Sequence, residues 1–107
     1  MIESNLRRVT LKNSTSGDKI ILTDTKALAI CKEMFNNSVK EEGSVNMSNP
    51  DYELKVEFSK GKDQTFFLWI GKEGEDSTLM NLNDSNVIYS VPEKITNQLK
   101  QFISETN

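Results

Sequence analysis

The 107-residue chain contains no histidine and one cysteine, and each scarcity removes a class of chemistry. Without an imidazole base, serine and cysteine triads that rely on histidine are excluded, as are zinc sites that use it. Cys31 by itself forms neither an internal disulfide nor a thiolate zinc site. Its place on the apolar side of a predicted helix favours the role of a small buried hydrophobe.

Other absences narrow the function further. The five glycines occur singly, so the chain has no phosphate-binding loop. Its carboxylates lack calcium-loop spacing, and no apolar run approaches the length of a membrane span. The net charge of −3, without a basic excess, argues against nucleic acid as a partner. We therefore expect no catalytic residues, no metal site, no cofactor and no enzymatic activity.

What the chain does contain is the pattern of a small mixed fold, expected as a single domain over residues 1–107. Alternating or apolar runs predict strands at about residues 6–12, 19–22, 52–59, 64–71, 77–82 and 87–91. The fold class is α+β, with an antiparallel sheet of about six strands in the order β-β-α-β-β-β-β-α and two helices packed on it. Residues 36–50 are expected to form the longest irregular connection.

Both helices are predicted from apolar residues at the helical interval. Thr23 or Asp24 is placed to cap the first helix, and Pro92 is tolerated in the first turn of the second. The apolar positions are Ala27, Ile30, Cys31, Met34 and Phe35 in the first helix and Ile95, Leu99, Phe102 and Ile103 in the second. Each helix therefore has one buried stripe.

The hairpin around Gly61 has two possible registers, which place Trp69 differently. A two-residue turn would pair Leu54 with Phe67. A three-residue loop, with Gly61 in the left-handed conformation, would instead put Leu54 on the face of Phe66, so that Phe67 and Trp69 look outward. In both registers the strand at 64–71 has apolar residues on both faces, which is typical of a central strand whose second face is covered.

The free energy gained by burying apolar surface favours burial of Trp69 beneath loops of the same chain. Burying the side chains of Phe67 and Trp69 would contribute roughly 10 kcal/mol as an upper bound, comparable to the net stability of a domain. The alternative is a contiguous exposed patch that serves recognition.

The runs VNMSNPDYELKVEF, FFLWI, STLMNL and VIYSVPEKITNQL resemble a family of small bacterial domains called YhfM-like, from about residue 18 onward. The resemblance implies a domain of Gram-positive bacteria, often exported or lipid-anchored, with no established activity and no catalytic residues to carry over. This chain lacks a lipobox cysteine, so membrane attachment would require an N-terminal anchor outside it. The matching positions are Pro50, Asp51, Tyr52, Trp69 and Tyr89.

From residues and resemblance together we expect a non-catalytic cell-envelope domain, extracellular or anchored on the outer face of the membrane. It would bind a protein or a cell-wall component through its sheet face. Phe67 and Trp69 would be the anchors of that site, with Tyr52 and Tyr89 beside them. The alternative is a structural or accessory module of a larger lipoprotein or regulator, with no ligand of its own.

Overall fold

The computed structural model describes residues 5–42, 49–72, 74–82 and 87–106, which form one antiparallel sheet and two helices. Each element corresponds to a run of alternating or helically spaced apolar residues, with one exception discussed below. In chain order the elements are β1 (Leu6–Asn13), β2 (Lys19–Leu22), α1 (Thr25–Asn36), β3 (Val39–Glu42), β4 (Tyr52–Phe58), β5 (Asp63–Trp69), β6 (Ser77–Asn81), β7 (Val87–Val91) and α2 (Glu93–Thr106).

The strands lie in the order β2-β1-β4-β5-β6-β7-β3. Most neighbouring strands are also consecutive in the sequence and form hairpins. The exceptions are β1, which pairs with β4, and β3, which pairs with β7. The strands β2 and β3 form the two edges of the sheet, and α1 lies between them in the sequence. The connection through α1 therefore carries the chain from one edge of the sheet to the other.

The predicted α+β class is confirmed, but the sheet has seven strands rather than about six. The additional strand is β3, which lies inside the stretch expected to be irregular. Three of its four residues are charged, so its sequence shows no apolar alternation. It forms because its backbone pairs with β7 at an edge, where side chains need not be buried. Residues 83–86, which connect the strands predicted at 77–82 and 87–91, lie outside the described residues.

The β4–β5 hairpin adopts the three-residue loop. The Phe58 N–H donates to the Lys62 carbonyl oxygen at 2.8 Å, and the Gly61 N–H donates back to the Phe58 carbonyl oxygen at 3.0 Å. Gly61 has φ +89°, a left-handed conformation that residues with a Cβ adopt only at a cost. The loop sets Leu54 opposite Phe66, and alternation then sends Phe67 and Trp69 to the other face of the sheet.

Both helices pack on one face of the sheet, which we call the helix face; the opposite one is the outer face. The Asp24 carboxylate caps α1 by accepting from the Ala27 N–H at 3.3 Å. The ring of Phe35 contacts that of Phe66, with centroids 5.0 Å apart. The core combines the buried stripes of both helices with alternate strand residues, including Val9, Leu11, Leu54, Val56, Phe66, Leu68, Leu79 and Val91.

Candidate functional site

The outer face of β5, β6 and β7 carries a group of apolar side chains that is separate from the core. Register places Phe67 opposite Met80, and Met80 opposite Ile88, so the three lie in a row across adjacent strands. Trp69 follows on the same face of β5, because residues two apart on a strand share a face. We call Phe67, Trp69, Met80 and Ile88 the outer-face patch.

The two aromatic rings of the patch contact each other edge to face. Their centroids are 6.2 Å apart and their planes meet at 85°, a favourable geometry for aromatic pairs. Phe67, Trp69 and Met80 are partly exposed, whereas Ile88 is 7% exposed. Trp69 therefore belongs neither to the core nor to the fully exposed surface: it lies in the outer layer of the sheet.

Polar and charged side chains border the patch. Glu53 lies opposite Phe67, Thr78 lies opposite Trp69, and Ser90 lies opposite Thr78. Glu57 on β4 accepts a hydrogen bond from Arg7 of β1 at 3.4 Å and forms an ion pair with Arg8 of β1 at 3.6 Å. Both arginines are exposed, so these ion pairs contribute little stability. The outer face is thus apolar over β5–β7 and charged over β1 and β4.

Tyr52 and Tyr89 do not belong to this site, and their expected grouping with Phe67 and Trp69 is wrong. Tyr52 lies opposite Leu68, and Tyr89 lies opposite Leu79, two leucines of the core. Both tyrosines consequently point to the helix face, where they are partly buried against the core. Burial raises the pKa of the Tyr52 phenol, and the neighbouring negative charge of Asp51 raises it further.

The sequence reading missed Met80 and Ile88, which complete the patch. The residue types gave a signal, since each is a large apolar residue on a predicted strand. Which face they occupy depends on the registers of β5–β6 and β6–β7, and a shift of one residue would reverse it.

A cluster of polar groups, separate from the outer-face patch, lies on the helix face. The hydroxyl oxygens of Ser77 and Thr96 are 2.6 Å apart, and the two residues are 1% and 0% exposed. The Ser77 hydroxyl also accepts from the Gly71 N–H at 3.0 Å, while Lys100 Nζ donates to the Gly71 carbonyl oxygen at 3.3 Å. These bonds join the loop before β6 to α2. Because the hydroxyls are buried, the arrangement is structural rather than accessible to a substrate.

The thiol of Cys31 is also inaccessible. Cys31 is 2% exposed on the buried stripe of α1, as the sequence predicted. Burial raises the pKa of the thiol to about 12, so it is protonated at neutral pH and unreactive. Within the described ranges, no three Cys, Asp or Glu side chains come together as metal ligands would. Over the same ranges, neither helix is long and apolar enough to span a bilayer.

Comparison with known proteins gives a family and a fold. The family described as YhfM protein matches residues 2–107. No curated protein matches the sequence. Among solved structures, a thioesterase-like protein from Clostridium sporogenes ATCC 15579, at 1.70 Å resolution, superposes with a TM-score of 0.68 at 15% identity. The match covers 94% of this chain and 96% of that chain.

This likeness corrects the expectation that the chain is not an enzyme. That expectation rested on missing catalytic motifs, and a protein described as thioesterase-like has the same fold. Fold does not determine function, and at 15% identity the likeness transfers the architecture alone. The absence of histidine excludes particular mechanisms rather than enzymatic activity as a whole.

Proposed function

The chain belongs to the YhfM family, and we propose that it is a binding module whose outer-face patch docks a protein partner at the bacterial cell envelope. The observation that carries the proposal is the position of Phe67 and Trp69, adjacent on the face that neither described helix occupies. Together with Met80 and Ile88 they form an apolar centre. Protein interfaces characteristically combine such a centre with a polar rim and are enriched in aromatic residues and methionine.

The ring geometry favours a protein over a cell-wall glycan. The C–H face of a sugar ring stacks on the face of an aromatic ring, and a platform for several sugars needs aromatic rings that are roughly coplanar. Phe67 and Trp69 meet at 85°, so they do not share a plane. An irregular apolar surface of this kind is better suited to the side chains of another protein.

Replacing Trp69 by Ala tests the proposal. Tryptophan at the centre of an interface often contributes 2 kcal/mol or more, so we expect Kd for the partner to rise by about thirtyfold. Immobilised wild-type domain would be used to capture the partner from an envelope extract. The purified partner would then be titrated against both proteins, and for the wild type the emission of Trp69, its only tryptophan, gives a second readout.

Ile21→Ala is the matched control, because Ile21 is a large apolar residue, 61% exposed, opposite Thr10 on the charged side of the outer face. It should bind the partner as the wild type does. Non-cooperative melting of Trp69→Ala would contradict the recognition role and favour a structural one. Sedimentation with insoluble peptidoglycan that depends on Trp69 would replace the protein partner by a cell-wall component.

The location at the envelope is part of the same proposal. It is supported by the exported or lipid-anchored context that the family resemblance implies. We expect the native protein on the outer side of the membrane, where protease added to intact cells would degrade it. Survival of the protein in intact cells, with digestion only after lysis, would contradict this location.

An enzymatic role is a second candidate function. It is supported by the description of the solved structure with the same fold as thioesterase-like. Thiol release from a panel of acyl thioesters, followed with a chromogenic thiol reagent, tests it. Cys31 is buried with a pKa of about 12, so the native protein should contribute little background. Release no faster than the uncatalysed rate would remove this candidate.

A further inference from the structure

The two edges of the sheet differ in the side chains that they carry. At one edge, three of the four residues of β3 are charged, and charge is a common protection of an edge strand against pairing with another molecule. At the other edge, β2 has the sequence KIIL. Ile21 lies opposite Thr10 on the outer face and is 61% exposed, while Ile20 and Leu22 lie on the helix face. Apart from Lys19, the edge formed by β2 is therefore apolar.

The backbone groups of β2 alternate between its neighbour β1 and the free edge. The Asn13 N–H donates to the Asp18 carbonyl oxygen at 2.8 Å, so these opposite residues form a hydrogen-bonded pair. Hydrogen-bonded and non-hydrogen-bonded pairs alternate along an antiparallel ladder. By this alternation the N–H and C=O groups of Lys19 and Ile21 point away from β1. Within the described part of the chain, no strand lies beyond β2 to pair with them.

A second copy of β2 presents a matching set of groups. Opposite residues of an antiparallel pair share a face, so a two-fold axis perpendicular to the sheet must relate two copies of the same residue. With the axis at Ile21, Ile21 lies opposite Ile21 of the second copy on the outer face. Ile20 then lies opposite Leu22 on the helix face, and Lys19 lies opposite Thr23. In this register the outward-pointing backbone groups of the two strands also meet each other.

The two neighbouring registers are less favourable. With the axis at Ile20, Asp18 would lie opposite Leu22, and with the axis at Leu22, Ile20 would lie opposite Asp24. Each would set a carboxylate against an apolar side chain twice, because a two-fold axis repeats every contact. The register centred on Ile21 instead pairs apolar side chains on both faces. Its cost is a like-charge contact between Asp18 and Asp24 beyond each end of the pairing, which salt screens.

We propose that this chain forms a homodimer by antiparallel pairing of β2 with β2 of a second copy, which joins two seven-stranded sheets into one. The contact occupies the same edge in both copies, and the charged edge β3 does not extend it, so assembly stops at two. A four-residue edge buries less surface than a standard interface, so Kd is on the order of 0.1–1 mM. The dimer does not involve the outer-face patch, so either can exist without the other.

The test is sedimentation equilibrium and NMR of the wild-type protein in moderate salt, over a concentration series that reaches about 1 mM. We expect concentration-dependent dimerisation, with chemical-shift changes centred on residues 19–23. The Ile21 amide should exchange more slowly with solvent as the protein concentration rises, because its outward N–H becomes hydrogen-bonded in the dimer.

Two substitutions at Ile21 should disrupt the dimer. Ile21→Lys sets like charges opposite each other at the axis and should raise Kd by about tenfold or more. Ile21→Pro removes the outward N–H, a change that edge strands tolerate, and should have the same effect. Val39→Lys is the matched control, because Val39 is also 61% exposed but lies on β3 at the other edge. It should leave Kd unchanged, and all three variants should melt cooperatively.

A wild-type protein that stays monomeric at about 1 mM would overturn the proposal. Dimerisation that survives Ile21→Lys, or shifts centred on β3 or on the outer-face patch, would overturn it as well, because the two copies would then meet elsewhere. A monomer whose Ile21 amide is protected only by an added peptide of alternating apolar residues would assign this edge to a foreign strand instead of a second copy.

Discussion

Cys31 illustrates how a single residue is defined by its surroundings. The stripe of α1 places the thiol between helix and sheet, and desolvation raises its pKa from 9.0 to about 12. In the unfolded chain the thiol would ionise near its ordinary value. Between these two pKa values the unfolded state loses a proton that the native state keeps.

This difference predicts a pH dependence of stability. Because the unfolded state binds fewer protons, the contribution of Cys31 is fully present below pH 9 and is lost as pH rises toward 12. The slope is at most about 1.4 kcal/mol per pH unit. Urea unfolding of the wild type and Cys31→Ala from pH 8 to 11 measures it: the stability advantage of the wild type should shrink as pH rises. Parallel curves for the two proteins would contradict the assignment.

At the scale of elements, the loop before β6 and helix α2 are joined by the Ser77–Thr96 hydroxyl pair. Ser77 serves two partners, Thr96 and the Gly71 N–H. Gly71 has no room for a Cβ, which would clash with the Asp76 carbonyl oxygen. The loop therefore reaches its position through close backbone approach together with buried hydrogen bonds.

Removal of the two hydroxyls should have unequal effects. Thr96→Val deletes one hydrogen bond and should cost about 1 kcal/mol. Ser77→Ala leaves both the Gly71 N–H and the Thr96 hydroxyl unpaired, and should cost about 2–3 kcal/mol. Denaturant unfolding of the two single variants and the double variant measures the coupling energy between the hydroxyls. The double variant should lose less stability than the sum of the two single losses.

Ser90→Ala is the control for this comparison. It is the same substitution on the neighbouring strand, where the Ser90 hydroxyl makes only a 3.5 Å bond to Asp76 on the exposed side. Its effect should be within about 0.5 kcal/mol. Strict additivity of Ser77→Ala and Thr96→Val would show that the two hydroxyls do not act as a pair.

Elements with strong periodicity were predictable, and those held by backbone pairing alone were not. The stripe from Ala27 to Phe35 predicts α1, because an amphipathic helix must bury one side. The edge strand β3 has no such pattern, because three of its four residues are charged and no apolar alternation marks it. The same limit applies to the site: residue type alone indicates Phe67 and Trp69, whereas the face that Tyr52 and Tyr89 occupy depends on strand register.

For the whole molecule, the position of each strand in the sheet sets how firmly it is held. Strands β4 and β5 have neighbours on both sides and face the core, whereas β2 and β3 are four-residue edges. Local opening requires breaking fewer contacts at an edge than at the centre. The sheet is therefore expected to be least stable at β2 and β3.

Amide hydrogen exchange measures this gradient. Amides of β4 and β5 should exchange most slowly, close to the rate set by global unfolding, and those of Val39–Glu42 by orders of magnitude faster. NMR resolves the strands individually. Protection of β3 equal to that of β5 would contradict the gradient and indicate that another molecule covers this edge.

The sequence by itself determined the fold class, the two amphipathic helices and the strands with apolar alternation, because these follow from spacings of a few residues that local periodicity expresses. Only the tertiary structure decided that β1 pairs with β4 and that β3 closes the far edge beside β7. It also decided that Met80 and Ile88 join Phe67 and Trp69 on the outer face of the sheet. These outcomes depend on contacts between residues far apart in the chain, whose free energies no local pattern encodes.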